Sequence, residues 1–180
     1  MYLNCHTAYS FKYGTLQVKD LFEEARRCGV HKLVLTEINN TASYIEMLRY
    51  CEENAPYKDG LTKFSKEAYK LDIAIGIEFR RDHELLYIII AKNNKGFEMM
   101  NRFLSHHNLE KKSLPERAPE IEHTCVIYPF KKRELETLRE DEFIGITVQD
   151  VNQLVLYDPY RTNKEKFVVW HPVTFANNPQ

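Results

Sequence analysis

Apolar and polar positions alternate along the chain in two periods, and the two periods take turns. Tyr2 to His6 reads as a short opening strand. Val18, Leu21, Phe22, Ala25 and Cys28 recur at helical spacing, and Gly29 follows as a stop. Lys32 to Thr36 is a compact buried strand. Ile45, Leu48 and Cys51 mark a second helix ending near Asn54 to Pro56. A polar loop is expected around Tyr57 to Gly60 and a short helix over Phe64 to Tyr69. Ile73 to Phe79 and Leu85 to Ala91 are apolar strands separated by the charged turn Arg80 to Glu84. Phe97, Met100, Phe103 and Leu104 predict a third amphipathic helix. The charged stretch Glu110 to Glu122, with Pro115 and Pro119, reads as a long surface loop. Strands return at Thr124 to Tyr128, Phe143 to Ile146 and Phe167 to Trp170. Between the last two, Thr147 to Asp150 has the form of a capping box leading into a helix through Leu154.

This alternation predicts an α/β fold with a largely parallel sheet. The near-continuous apolar strands fit a sheet covered on both faces. Spacing alone leaves open whether the sheet closes into a barrel.

Composition narrows the function classes. Of 180 residues, 43% are hydrophobic and 28% charged, the balance of a folded domain that needs no disulfide or metal to hold together. The net charge of −1 argues against a broad nucleic-acid-binding surface. No apolar run approaches the ~20 residues of a membrane span, and the N-terminus lacks the features of a signal peptide, so a cytosolic protein is expected. Cys5, Cys28, Cys51 and Cys125 form no Cys-x-x-Cys pair and read as reduced thiols. Nucleophile-elbow, dinucleotide and phosphate-loop motifs are absent.

The candidate chemistry lies at strand ends, where α/β folds build their sites. On an extended strand Asn4 and His6 share one face and Leu3 and Cys5 the other. That separates Cys5 from His6 and argues against a thiol–imidazole pair. Glu37 ends the second strand and Glu78 lies in an otherwise apolar run. Two carboxylates and an imidazole at three strand ends form a candidate metal-ligand set. The structural alternatives stand beside it. His6 can hydrogen-bond Asn4 or a glutamate, and Glu37 can cap the loop at Asn39 or Asn40. Glu78 needs a buried partner, for which Arg80 and His6 are the candidates.

Several blocks in order carry a resemblance. They are Leu3-Asn4-Cys5-His6-Thr7-Ala8-Tyr9-Ser10 with Gly14, Leu33 to Asn40, Gly76 to Arg80, Ile90 to Phe97 and His171 to Phe175. Together they resemble a PHP (polymerase and histidinol phosphatase) domain, and more narrowly the N-terminal region of bacterial replicative DNA polymerase III alpha subunits. The resemblance implies an α/β, PHP-type distorted (β/α) barrel with metal ligands at strand ends, left incomplete by truncation. Residues 1–180 are then a single PHP-like domain, the N-terminal piece of a larger polymerase subunit. Against the family's His-x-His opening stand Asn4 and His6, and against its Asp-His stand Glu37 and Ile38. Glu78 matches the third motif. The following family histidine aligns at Leu86, with His83 three residues away, and the final Asp-x-His motif is not found. The implied metal ligands are therefore a degenerate set of His6, Glu37, Glu78 and Asn4, with no catalytic residue assigned. No cofactor is expected, with Zn, Mn or Mg the ions concerned if the residual site binds. The implied partners are the remainder of the alpha subunit and the proofreading exonuclease subunit, with DNA reached only through the parent protein. The alternative is a metal-dependent phosphoesterase or 3′–5′ exonuclease.

Overall fold

The structure is a computed structural model that describes residues 1–54, 70–154 and 157–174. The expected loop at 57–60 and short helix at 64–69 lie outside the described residues. Eight strands are described, β1 (Tyr2–Cys5), β2 (Lys32–Ile38), β3 (Asp72–Arg81), β4 (Glu84–Ala91), β5 (Thr124–Pro129), β6 (Glu142–Ile146), β7 (Phe167–Val169) and β8 (Pro172–Val173). The principal helices are α1 (Val18–Arg27), α2 (Ser43–Glu53) and α3 (Asn94–Leu109), followed by the short α4 (Val151–Leu154) and α5 (Asp158–Thr162).

The strands form one mixed sheet in the order β7-β6-β5-β4-β3-β2-β1-β8. It is largely parallel, as the rhythm of the chain predicts, with β4 alone running antiparallel to its neighbours β3 and β5. The charged turn after Arg81 is a hairpin, with Asp82 at φ +54°, and a hairpin reverses direction where a crossover helix would have kept it. The two edge strands, β7 and β8, are consecutive in the chain, with only Trp170 and His171 between them. Three residue steps span at most about 11 Å, so the sheet must curl until its edges approach. The backbone bonds on either side of that link hold the curl, from Trp170 N to Ile146 O at 3.0 Å and from His6 N to Val173 O at 2.9 Å.

Curling gives the sheet an inside. Ile88, Ile127 and Trp170 pack there with Leu3, Leu85, Ile90 and Val168, side chains from strands that are far apart in sheet order. Gly145 leaves room for the indole: a Cβ there would lie 3.1 Å from the Trp170 ring and 2.8 Å from Ile127. Outside, α1 and α2 cover β1 to β3 through Leu21, Phe22, Leu33, Leu35 and Met47. Helix α3 and the 110–122 stretch cover β3 to β6 through Met100, Leu104 and Ala118. The helices form where the 3.6-residue period places these side chains on one face. Gly29, at φ +64°, takes the left-handed conformation that closes α1, and the Asn93 side chain accepts from Gly96 N at 3.0 Å to open α3. The Thr147–Asp150 capping box forms as the spacing predicts. Strand β8, two residues long, carries no periodic signal and was not anticipated.

Candidate functional site

The opening strand does not alternate evenly. From Tyr2 to Cys5 it advances three residues while its partner advances two, from Leu33 to Leu35. The extra residue is a bulge, which re-aims side chains. Leu3 packs with the inner cluster and Cys5 with the outer one, so these two do not share a face. Asn4 and His6 both reach Glu78, as a shared face requires.

Glu78 is fully buried. Its Oε2 accepts from Asn4 Nδ2 at 3.1 Å and lies 3.2 Å from His6 Nε2. The His6 contact is close without hydrogen-bond alignment, and Nε2 makes no hydrogen bond among the described residues. Glu78 Oε1 accepts from Arg80 Nε at 2.5 Å. Both partners weighed for Glu78, His6 and Arg80, are therefore present. Burial pushes the Glu78 carboxyl up, but the contacts with His6 and Arg80 outweigh it and hold the group below its ordinary value. Asn4 is turned by Thr36, whose hydroxyl donates to Asn4 Oδ1 at 2.6 Å, leaving the amide nitrogen to face Glu78.

Glu37 lies on the other face. The β2–β3 register pairs Glu37 with Ile77 and Ile38 with Glu78, and paired residues of neighbouring strands point the same way. Glu37 does not bind Asn39 or Asn40. Its Oε1 accepts from the Thr7 hydroxyl at 2.6 Å, both oxygens accept from Thr7 N at 3.1 and 3.2 Å, and Oε2 accepts from the Ser10 hydroxyl. Asn39, at φ +51°, instead clamps the backbone of Arg80, accepting from its N at 3.0 Å and donating to its O at 2.9 Å.

Ser10 joins the two halves. Its oxygen lies 3.1 Å from His6 Nδ1 and accepts from Ile38 N at 3.0 Å, while its proton goes to Glu37. All four predicted residues thus fall into one buried network running Glu37, Ser10, His6, Glu78, Asn4. Tyr13 closes it from above. Its ring meets His6 edge-on at 5.0 Å, and the Arg80 guanidinium stacks over it at 4.4 Å. Thr7, Ser10 and Tyr13 were not singled out in the sequence. The available signal was the run of hydroxyl residues after the strand, held in a tight loop by Gly14, where a Cβ would fall 2.1 Å from Thr7 O.

Leu86 does not take the place of a site histidine. It packs in the outer cluster with Met100 and Tyr87. The β3–β4 ladder slips by one residue between Phe79 and Arg80, and the residue opposite Glu78 is Ile88, which faces the inner cluster. His83 is exposed and touches Arg80 only through its carbonyl oxygen. Cys5 lies on the outer side and burial raises its thiol to about 12, so it offers no thiolate. A groove of about 510 Å³ also lies on that side, between α1 and the β1–β8 edge, away from this network.

The profile of the PHP domain matches residues 3–158. The chain belongs to the PHP domain family. Among solved structures, a Bifidobacterium adolescentis protein provisionally assigned as a metal-dependent phosphoesterase aligns with a TM-score of 0.51 at 11% identity, covering 99% of this chain and 88% of that one. At that identity the likeness concerns the fold. No curated protein matches the chain.

Membership implies divalent ions at the strand ends, and the donor atoms present do not fit a multi-ion PHP centre. Both Glu37 oxygens are filled by Thr7 and Ser10, Glu78 Oε1 is filled by a guanidinium, and Asn4 presents N–H rather than oxygen. Among the described residues, no three His, Cys, Asp or Glu side chains are arranged to hold a metal ion. Nor is any described helix long and apolar enough to cross a membrane.

Proposed function

We propose that this PHP domain is a scaffold rather than a hydrolase, and that it is the N-terminal module of a DNA polymerase III alpha subunit acting in replication. The observation that carries the first part is the Arg80–Glu78 pair, a fixed side-chain cation on the carboxylate that matches the family's third motif. A metal-activated water needs an ion with an open position, and here the carboxylate is closed by protein groups. The second part rests on the ordered sequence blocks from Leu3 to Phe175. The partners would be the rest of the alpha subunit and its proofreading exonuclease.

The test is direct. The purified chain, assayed on p-nitrophenyl phosphate and on a DNA 3′ end with Mn²⁺, Zn²⁺ or Mg²⁺, should give no turnover above buffer, and elemental analysis should find no stoichiometric metal. A reading frame that continues past Gln180 into a polymerase palm would support the replicative role; one that does not would remove it.

A second reading is a metal-dependent phosphoesterase or 3′–5′ exonuclease with Asn4, His6, Glu37 and Glu78 as ion ligands; the description of the structural neighbour as a metal-dependent phosphoesterase supports its first form. It predicts metal-dependent turnover abolished by Glu78→Gln.

A further inference from the structure

We propose that one stretch of the sheet's carboxyl-end rim, where Arg81, Lys131 and Lys132 stand beside Val148 and Val151, docks an acidic amphipathic segment of a partner protein. The surface uses no residue of the Glu78 network and stands whichever reading of that network holds. Strands β3, β5 and β6 all end on this rim, since β5 runs parallel to β6 and both β3 and β5 run antiparallel to β4. The aliphatic part is one helical turn. Val148 and Val151 are three residues apart at the start of α4, a spacing that sets them on one face, and they are 74% and 50% exposed. A third exposed valine, Val169, pairs with Ile146, two residues before Val148. Apolar side chains exposed singly are ordinary; valines grouped in this way leave an uncovered patch.

A cationic loop adjoins it. Lys131 Nζ donates to Gln153 Oε1 at 2.5 Å, which joins the loop after β5 to α4. Lys132 pairs with Glu84, and Glu84 in turn pairs with Arg81 at 3.0 Å. Arg81 also meets Glu116 at 3.3 Å. These cations keep capacity for a further carboxylate. Lys131 is exposed and meets a neutral amide and, at 5.5 Å, the Phe130 ring. Arg81 spends one nitrogen, Nη2, on both of its carboxylates, so its Nε and Nη1 carry no hydrogen bond among the described residues. The chemistry of the partner follows from the mixture. Glu84, Glu116 and Glu134 stand among the cations and would repel a uniform polyanion such as a nucleic-acid backbone, and the valines offer that backbone nothing. A segment with an aliphatic face flanked by carboxylates satisfies both halves, the valines giving contact area and the cations giving complementarity.

The experiment measures fluorescence anisotropy with the full 180-residue chain. The probe is a fluorescein-labelled peptide of leucine and glutamate spaced as a single amphipathic helix. One control peptide carries lysine in place of every glutamate, and a second control is labelled oligo(dT). The acidic peptide should bind, and its affinity should fall as NaCl is raised. The lysine peptide and oligo(dT) should bind at least about tenfold more weakly. The double variant Lys131→Glu/Lys132→Glu should weaken the acidic peptide by about tenfold or more, and Val148→Ser/Val151→Ser should weaken it as well. Lys19→Glu, an exposed lysine on α1, should leave it unchanged. All of these side chains are at the surface, and far-ultraviolet circular dichroism confirms that each variant folds. The proposal is overturned if the acidic peptide does not bind, if the lysine peptide binds as well, or if either double variant binds like wild type. Tighter binding of oligo(dT) than of the acidic peptide also overturns it and assigns the rim to nucleic acid instead. None of these outcomes bears on whether the domain hydrolyses phosphoesters, which the turnover assay decides separately.

Discussion

Arg80 Nε donates to Glu78 Oε1 across 2.5 Å, with the carboxylate side chain at 1% exposure. The pairing makes stability depend on acid. Burial raises the Glu78 carboxyl, and contact with His6 and Arg80 brings it below its ordinary value of 4.5. A group lowered by folding stabilises fully above its unfolded value, and the contribution fades as pH falls through the folded one. Wild type should therefore lose stability as pH drops below about 4.5. Glu78→Gln should be less stable than wild type at neutral pH, and its urea midpoint should fall less between about pH 6 and about pH 3. Equal falls in the two proteins would show that this carboxylate does not drive the acid limb.

Ser10 connects Glu37 to His6, so its hydroxyl supports both halves of the site. Ser10→Ala removes the partner of the part-buried Ile38 amide and of the buried His6 Nδ1, and takes one of two donors from Glu37 Oε2, which keeps Thr7 N. Leaving buried polar groups unmatched costs about 1–3 kcal/mol each, and the loop can relax to recover part of it. A loss of at least about 2 kcal/mol in chemical denaturation is expected. Tyr9→Phe, one residue away, cuts only an exposed bond to Glu46 and should leave the midpoint unchanged.

How much of this was legible depended on range along the chain. The strand and helix periods gave β1 to β7 and α1 to α3, because each signal is local. Glu78 stood out as a carboxylate in an apolar strand, and its two partners could be guessed for the same reason. What failed needed register. Whether Glu37 and Glu78 share a face depends on how β2 pairs with β3, and the pairing puts them on opposite faces. The bulge in β1 and the slip beside Arg80 each move a face by one residue. The bulge is why Leu3 faces inward, and the slip beside Arg80 sets Ile88, not Leu86, opposite Glu78. Thr7 to Ser10 reads as a turn at a strand end, and nothing local in that run names the carboxylate its hydroxyls bind. Their role appears only when the loop folds back on Glu37.

Tyr87 and Tyr128 lie in the same outer cluster with ring centroids 6.0 Å apart, and both are fully buried, yet their hydroxyls have different fates. Tyr128 donates to Glu142 Oε1 at 3.1 Å and accepts from Ala118 N at 3.1 Å. Glu142 is itself buried and draws on Arg139 and Arg117, so this hydroxyl ties the 110–122 stretch to β5 and β6. The Tyr87 hydroxyl has no hydrogen-bond partner among the described residues. One substitution therefore has opposite signs at the two positions. Tyr128→Phe leaves a buried amide and a carboxylate oxygen short of a partner and should cost about 1–3 kcal/mol. Tyr87→Phe removes an unmatched hydroxyl without opening a cavity, which should leave stability unchanged or raise it by up to about 1 kcal/mol. Urea midpoints for the two variants decide the matter. If Tyr87→Phe is destabilised as much as Tyr128→Phe, the Tyr87 hydroxyl is bonded after all, and the packing described for the outer cluster is wrong at that residue.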